Sequence, residues 1–282
     1  MTRDDSIIEL GSWLRTAPGR YMLEWEQRRL DQAVTDVFGF HALQLGLPEF
    51  DGLRANRMPH RWVASDTLIA PEVQALVLPP PRDSLLTTQP PHEPIALHCD
   101  FDALPFPNAS IDLVVLPHTL ELARDPHHTL REVERVLVPE GRVVITGFNP
   151  ASLWGLRQRA GRLRRGMGLG RGQGPYLPLA CECIGYWRLR DWLRLLGFEV
   201  EGGRFGCWRP PLHTGQWLAR FEWMDAVGER WWPVLGAVYF LEAVKRVRGM
   251  RLVGLARNER RKTQAAPAVV ANRRRETAEL ER

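Results

Sequence analysis

A chain of 282 residues with 44% hydrophobic and 25% charged residues has the make-up of an ordinary globular protein, long enough for one large core with extensions. No run of about 18 apolar residues occurs, and the opening MTRDDSIIELG carries acids where a secretion signal needs a basic and then an apolar stretch, so a cytoplasmic protein without a membrane-spanning helix is expected. The net charge of +5 is uneven: residues 245–282 hold 12 basic and 4 acidic residues, residues 148–174 hold six arginines and no acid, and the remaining body is acidic, which argues against a chain built chiefly as a nucleic-acid clamp.

Apolar residues at helical spacing (Leu23, Leu30, Val34, Val37), broken at Pro18-Gly19, predict two leading helices over about 7–38. Short apolar strands follow at 41–45, ending at Gly46, and at 61–64, ending near Asp66. Prolines 79, 80, 81, 90, 91 and 94 exclude a long regular helix over the second part of 69–94, which reads as an irregular excursion. The pattern then becomes regular: strand 95–99, strand 112–116, helix 126–138 and strand 142–146. Asp125-Pro126 is an N-cap followed by proline at the first helical position, and Val138-Pro139-Glu140-Gly141 reads as a turn.

The glycine- and arginine-rich stretch 148–174 predicts a flexible basic connection or a short basic helix near 153–163. A helix over 189–196 stops at Gly197 and delivers strand 198–204. Trp217, Phe221, Met224 and Trp231 stand near helical spacing within 216–231, and 237–245 reads as the last strand. Beyond Arg248 the chain is polar, basic and without apolar periodicity, so disorder is expected. The domain plan is therefore leading helices over 1–40, an α/β domain over 41–247 with the basic loop inside it, and a basic tail over 248–282.

Cys99, Cys181, Cys183 and Cys207 are too few and too unevenly spaced for a disulfide framework, which suits a reducing compartment. Cys181, Cys183, Cys207 and His213 fit no standard zinc spacing, and no metal site is expected.

Strand–helix alternation predicts a doubly wound parallel sheet, whose ligands bind at the carboxyl ends of the strands. The order and wording of the motifs also resemble class I S-adenosylmethionine-dependent methyltransferases of the type 11 family, most closely over 100–148 and more loosely over 41–246. DFDALPF is similar to the family's D-A-x-x-L-P-F segment, and DLVVLPHTLE to its D-L-V-V-x-x-x-x-L-E. The resemblance implies a Rossmann-like, seven-stranded, mostly parallel sheet, S-adenosyl-L-methionine as cofactor and an unidentified methyl acceptor, small molecule or macromolecule. It implies that Gly46 approaches the methionine part, that Asp66, 20 residues on, holds the ribose, that Asp100 accepts from the adenine amine while Phe101 covers the ring, and that Pro117 lines the methionine end. His118 is the candidate general base, its imidazole titrating near neutrality, with a histidine that simply bonds its own loop as the other reading.

The chain departs from the family at its first loop, where G-x-G-x-G reads GLPEF. Leu47, Pro48, Glu49 and Phe50 bring side chains where the family keeps the backbone bare, so the glycine loop is degenerate. Two further readings therefore stand beside methyl transfer: a catalytically inactive methyltransferase-like binding or scaffold protein, and an RNA-associated protein using the arginine-rich loop and tail. Trp208, Trp217, Trp223, Trp231 and Trp232 would either wall a substrate or cover a sheet edge.

Overall fold

The central strands are apolar on both faces, as parallel strands sandwiched between helical layers must be. In a computed structural model, which describes residues 3–48, 50–66, 97–166, 176–177 and 183–246, they form one seven-stranded sheet. The strands are β1 (His41–Leu45), β2 (His60–Ser65), β3 (Leu97–His98), β4 (Ile111–Pro117), β5 (Leu137–Phe148), β6 (Phe198–Gly206) and β7 (Val238–Lys245), in the order β3-β2-β1-β4-β5-β7-β6. β1 to β5 pair in parallel, and β7 runs antiparallel between β5 and β6. This is the doubly wound, mostly parallel sheet expected, with its switch of winding direction between β1 and β4.

Two helices lead into it, α1 (Arg3–Leu14) and α2 (Ala17–Thr35). Thr16 caps α2 by accepting from the Gly19 N–H at 3.4 Å, and Pro18 occupies the first turn. Glycine is required at 19 because the helices touch there: an added Cβ would lie 2.5 Å from the Leu14 Cα. After β4 come α3 (Thr119–Leu122) and α4 (Pro126–Val136), the latter capped by Asp125, which accepts from the His127 and His128 N–H groups at 2.9 and 3.2 Å. After β5 come α5 (Leu153–Gly166) and α6 (Tyr186–Leu195), and after β6 come α7 (Gly215–Arg220) and α8 (Trp223–Trp231).

Alternation along the strands divides the core into two layers. Leu113, Val115, Val144 and Phe240 face Leu10, Met22, Leu30 and Val34 of the leading helices. Val114, Leu116, Val143, Ile145 and Leu241 face Leu130 and Val133 of α4 and Leu189 and Leu193 of α6.

Three local expectations change. The turn expected over 138–141 sits inside β5 as a bulge: pairing jumps from Ile111↔Leu137 to Leu113↔Arg142, and Glu140 adopts φ +63°. The 216–231 stretch is two helices, because i→i−3 hydrogen bonds at Phe221 and Glu222 tighten and end α7. α8 is thereby turned so that Asp225 accepts from the Tyr21 hydroxyl, the Trp208 N–H and Arg209 Nε. Of the late tryptophans only Trp208 is buried; the other four stand more than half exposed and do not cover a sheet edge. The excursion over 69–94 and the tail over 248–282 lie outside the described residues, as do Glu49 and Cys181.

Candidate functional site

Parallel strands β1 to β4 end together, so the residues after each strand meet at one rim. β1 runs into Gly46 at φ +76° and Leu47 at φ +46°, two consecutive left-handed residues that reverse the chain. The turn is held by a side chain rather than by further glycines. Gln44, fully buried, donates through Nε2 to the carbonyls of Gly46 (3.2 Å), Leu47 (3.1 Å) and Phe50 (2.6 Å), and its Oε1 accepts from the Gly52 N–H at 2.9 Å. With its backbone fixed in this way, the loop turns Leu47 and Phe50 into the core layer shared with α1 and α2. The bulk of this loop is thus spent on packing. Gly46 itself faces Thr119 and Phe101, which would lie 3.2 Å (Oγ1) and 3.7 Å (Cε2) from an added Cβ.

Next along the rim, Asp66 follows β2 and Asp100 follows β3, with Cys99 between them. Burial pushes the Cys99 thiol up to about 11, and the charges of Asp66 and Asp100 push the same way. Asp100 is exposed and steadies its loop by accepting from the Asp102 N–H at 3.0 Å, while Phe101 is buried against the β1 and β4 tips. Gly46, Phe101, Asp66 and Asp100 therefore form one run along the tips of β1, β2 and β3. Two acids at neighbouring strand ends, next to a backbone without a Cβ and an aromatic ring, suit the nucleoside half of S-adenosylmethionine: carboxylates that accept from ribose hydroxyls and the adenine amine, and an apolar wall.

The tip of β4 is built differently. Pro117 ends the strand, His118 takes φ +53°, a conformation histidine tolerates better than most residues, and Thr119 donates its hydroxyl to the Leu45 carbonyl, tying the β4 tip to β1. The His118 ring is fully buried and points into the protein. Its Nδ1 lies 2.9 Å from Glu121 Oε2, its Nε2 lies 2.8 Å from Glu26 Oε1 of α2, and the ring packs on Phe148 with centroids 4.4 Å apart. Burial alone pulls the imidazole down, but the charge of Glu26, hydrogen bonds to both carboxyls and the charge of Glu121 outweigh it and push His118 up to about 10. Burial raises Glu121 too, against its contacts with His118. The contacts that oppose this rise are His118 at Oε2 and the Phe148 N–H, which donates to Oε1 at 2.6 Å. Glu26 Oε2 is buried with no hydrogen-bond partner among the described residues.

The structure thus brings Gly46, Asp66, Asp100 and Phe101 to one rim and puts Pro117 beside it, while the His118 ring turns away to join two carboxyls in the interior. Glu26 and Gln44 escaped the sequence reading although both left a trace. Glu26 stands in the apolar ladder Met22, Leu30, Val34 of α2, where an acid demands a buried partner. Gln44 interrupts the otherwise apolar end of β1. Glu132 pairs with Arg135 at 2.8 Å and accepts from the Leu104 N–H at 3.0 Å.

Comparison with known proteins follows the same lines. The methyltransferase-domain family of type 11 matches residues 81–145. A protein of Escherichia coli (strain K12) named "Uncharacterized protein YafS" is 30% identical over 243 residues, covering 86% of this chain and 83% of YafS. A malonyl-[acyl-carrier protein] O-methyltransferase of Halorhodospira halophila is 36% identical over 88 residues, 30% of each chain. Among solved structures, a S-adenosylmethionine-dependent methyltransferase from Thermotoga maritima superposes with a TM-score of 0.52 at 13% identity, covering 83% of this chain and 93% of that one. The chain solved with the Trm112 methyltransferase activator of Haloferax volcanii gives 0.52 at 16% identity, covering 84% and 98%. At such identities the two likenesses speak for the fold.

Proposed function

The chain belongs to one family with YafS, within the type 11 branch of the class I S-adenosylmethionine-dependent methyltransferases, and on that premise we propose that it binds S-adenosylmethionine along the tips of β1, β2 and β3 and passes the methyl group to an acceptor approaching across β4. The observation that carries this reading is the position of Asp66 and Asp100 just past the ends of the paired strands β2 and β3, with Gly46 just past the end of β1, in a sheet of this order. Bound there, the cofactor supplies a methyl group already activated by a sulfonium charge. Asp66 accepts from the ribose hydroxyls and Asp100 from the adenine amine, Phe101 gives the adenine an apolar wall, and Gly46 and Pro117 lie toward the methionine end.

His118 acts here as a positioning residue. With both ring nitrogens engaged by carboxyls and the ring out of solvent, it fixes the direction of the β4 tip rather than removing a proton from the acceptor. Transfer from a sulfonium needs in-line approach above all, and orientation alone supplies several kcal/mol of barrier reduction, about 7–11 in well-aligned intramolecular cases. The scaffold reading loses ground because Leu47 and Phe50 pack into the core instead of filling the rim. No helix among the described residues is long and apolar enough to cross a membrane. Cys99 and Cys207 carry their sulfur as thiols, which suits the reducing cytoplasm.

The reading is tested with S-adenosylmethionine labelled in its methyl group and incubated with fractionated cell extract. Label passing to a discrete acceptor, dependent on the protein and on Asp100, is expected. Failure of transfer together with failure of the folded protein to bind S-adenosylhomocysteine would overturn it.

A further inference from the structure

β6 runs parallel to β5, since both pair antiparallel with β7, so α5, α7, α8 and the turn Pro233–Leu235 all leave the sheet at the end that carries the rim of Asp66 and Asp100. That end is also where large apolar side chains meet solvent. Eight of the thirteen exposed large hydrophobic side chains among the described residues belong to these four elements, and a ninth, Trp232, joins two of them, a concentration that scattered surface residues would not give.

α5 shows how the pattern is built. Its inner face presents Trp154, fully buried and donating its indole N–H to the Arg209 carbonyl at 2.8 Å, and Gln158, which binds the Tyr176 and Leu177 backbone. At about 100° per residue, the opposite side of the helix carries Leu153, Leu156, Ala160 and Leu163 in one stripe, with Arg159 and Arg164 bordering it on either side. Leu156 and Leu163 are 62% and 65% exposed, and α5 contains no acid. A solvated helix would put its arginines outward and its leucines inward; this one buries one apolar face and leaves a second uncovered. On α7 and α8, Trp217, Trp223 and Trp231 are each more than half exposed, Trp231 at 70%, and the Arg220 guanidinium lies 5.7 Å above the Trp217 ring.

We propose that this face docks on the surface of a bilayer bearing anionic headgroups. Leucines in a stripe bordered by arginines are what an interfacial helix lays into the boundary between acyl chains and headgroups, and tryptophans with one polar edge favour that boundary. Charge complementarity selects the occupant: α5 is purely basic, and membranes facing the cytoplasm carry a negative surface potential. A nucleic acid would use the arginines but has no use for exposed leucines. Docking in this orientation turns the rim of the sheet toward the bilayer, and it is independent of methyl transfer, since association is read without donor or acceptor.

The test is flotation of the full chain with vesicles of phosphatidylcholine mixed with phosphatidylglycerol, and with vesicles of phosphatidylcholine alone. Binding to the mixed vesicles that weakens with added salt is expected, falling about tenfold or more in Arg159→Glu/Arg164→Glu and also in Leu156→Glu/Leu163→Glu. These side chains are exposed, and circular dichroism checks that the variants fold. Wild-type protein that fails to float with mixed vesicles overturns the proposal. So does flotation unchanged in the leucine variant, or binding of single-stranded RNA by the same arginines that the leucine variant leaves intact while vesicles are ignored.

Discussion

Replacing His118 by Asn isolates the buried triad, because Asn adopts the left-handed backbone that His118 occupies while supplying neither the charge nor the reach to Glu26. The histidine is raised in the folded state from its ordinary value near 6.5 to about 10. A raised value means that the stabilisation is fully present below the unfolded value and is lost as pH climbs through 10. At about 1.4 kcal/mol per pH unit the whole interval amounts to roughly 5 kcal/mol, in line with the ~3–5 kcal/mol that loss of one partner from a buried ion pair costs. Between pH 7 and 9 the wild type should therefore shed about 2–3 kcal/mol of unfolding free energy from this group. The variant should lack that part of the slope and start about 3 kcal/mol lower at pH 7. Urea unfolding followed by tryptophan fluorescence and far-UV circular dichroism at both pH values reads both quantities. Equal slopes in the two proteins, or a deficit below about 1 kcal/mol at pH 7, would refute the claim that His118 is a buried imidazolium between carboxyls.

Three further outcomes follow from the rim. Gln44→Leu keeps the volume but strands the Gly52 N–H and the carbonyls of the β1 turn, so it should cost about 2–3 kcal/mol in urea unfolding and loosen cofactor binding; an unchanged midpoint would show that the clamp is dispensable. Gly46→Ala meets a backbone at φ +76° and Thr119 at 3.2 Å, so a loss of about 1–2 kcal/mol is expected, and a neutral result would mean that the turn adopts another conformation. The Cys99 thiol, raised to about 11, should carry about a hundredfold less thiolate at pH 8 than a thiol at its ordinary value of 9.0 and alkylate correspondingly slowly with iodoacetamide. Asp66→Asn and Asp100→Asn should each speed that reaction, and unchanged rates would separate the acids from the thiol.

Much of the fold was legible because its signals are local. β4 and β5 are apolar runs closed by turn residues, and Asp125-Pro126 announces α4 through a cap whose hydrogen bonds span three residues. The rim acids Asp66 and Asp100 were legible for the same reason, each standing one or two residues past a strand. What stayed hidden depends on distance along the chain or on a side chain replacing a backbone device. Glu26 lies 92 residues before the histidine it binds, and no helical periodicity names its partner. The loop after β1 read as an obstruction because its residues are bulky; Gln44 reverses that meaning by holding the turn so that Leu47 and Phe50 fall into the core. The late tryptophans left two readings open, and the α7–α8 break, which turns four of the five indoles outward, removes the one that had them covering a sheet edge.

The central claim, that carboxylates at the tips of β2 and β3 hold a sulfonium nucleoside, is met most directly by calorimetric titration of the folded protein with S-adenosylmethionine, in parallel with Asp66→Asn and Asp100→Asn. One binding site in the wild type, weakened at least about tenfold in each variant without loss of folding, is the expected result. No binding by the folded wild type, or binding that both substitutions leave untouched, would contradict it.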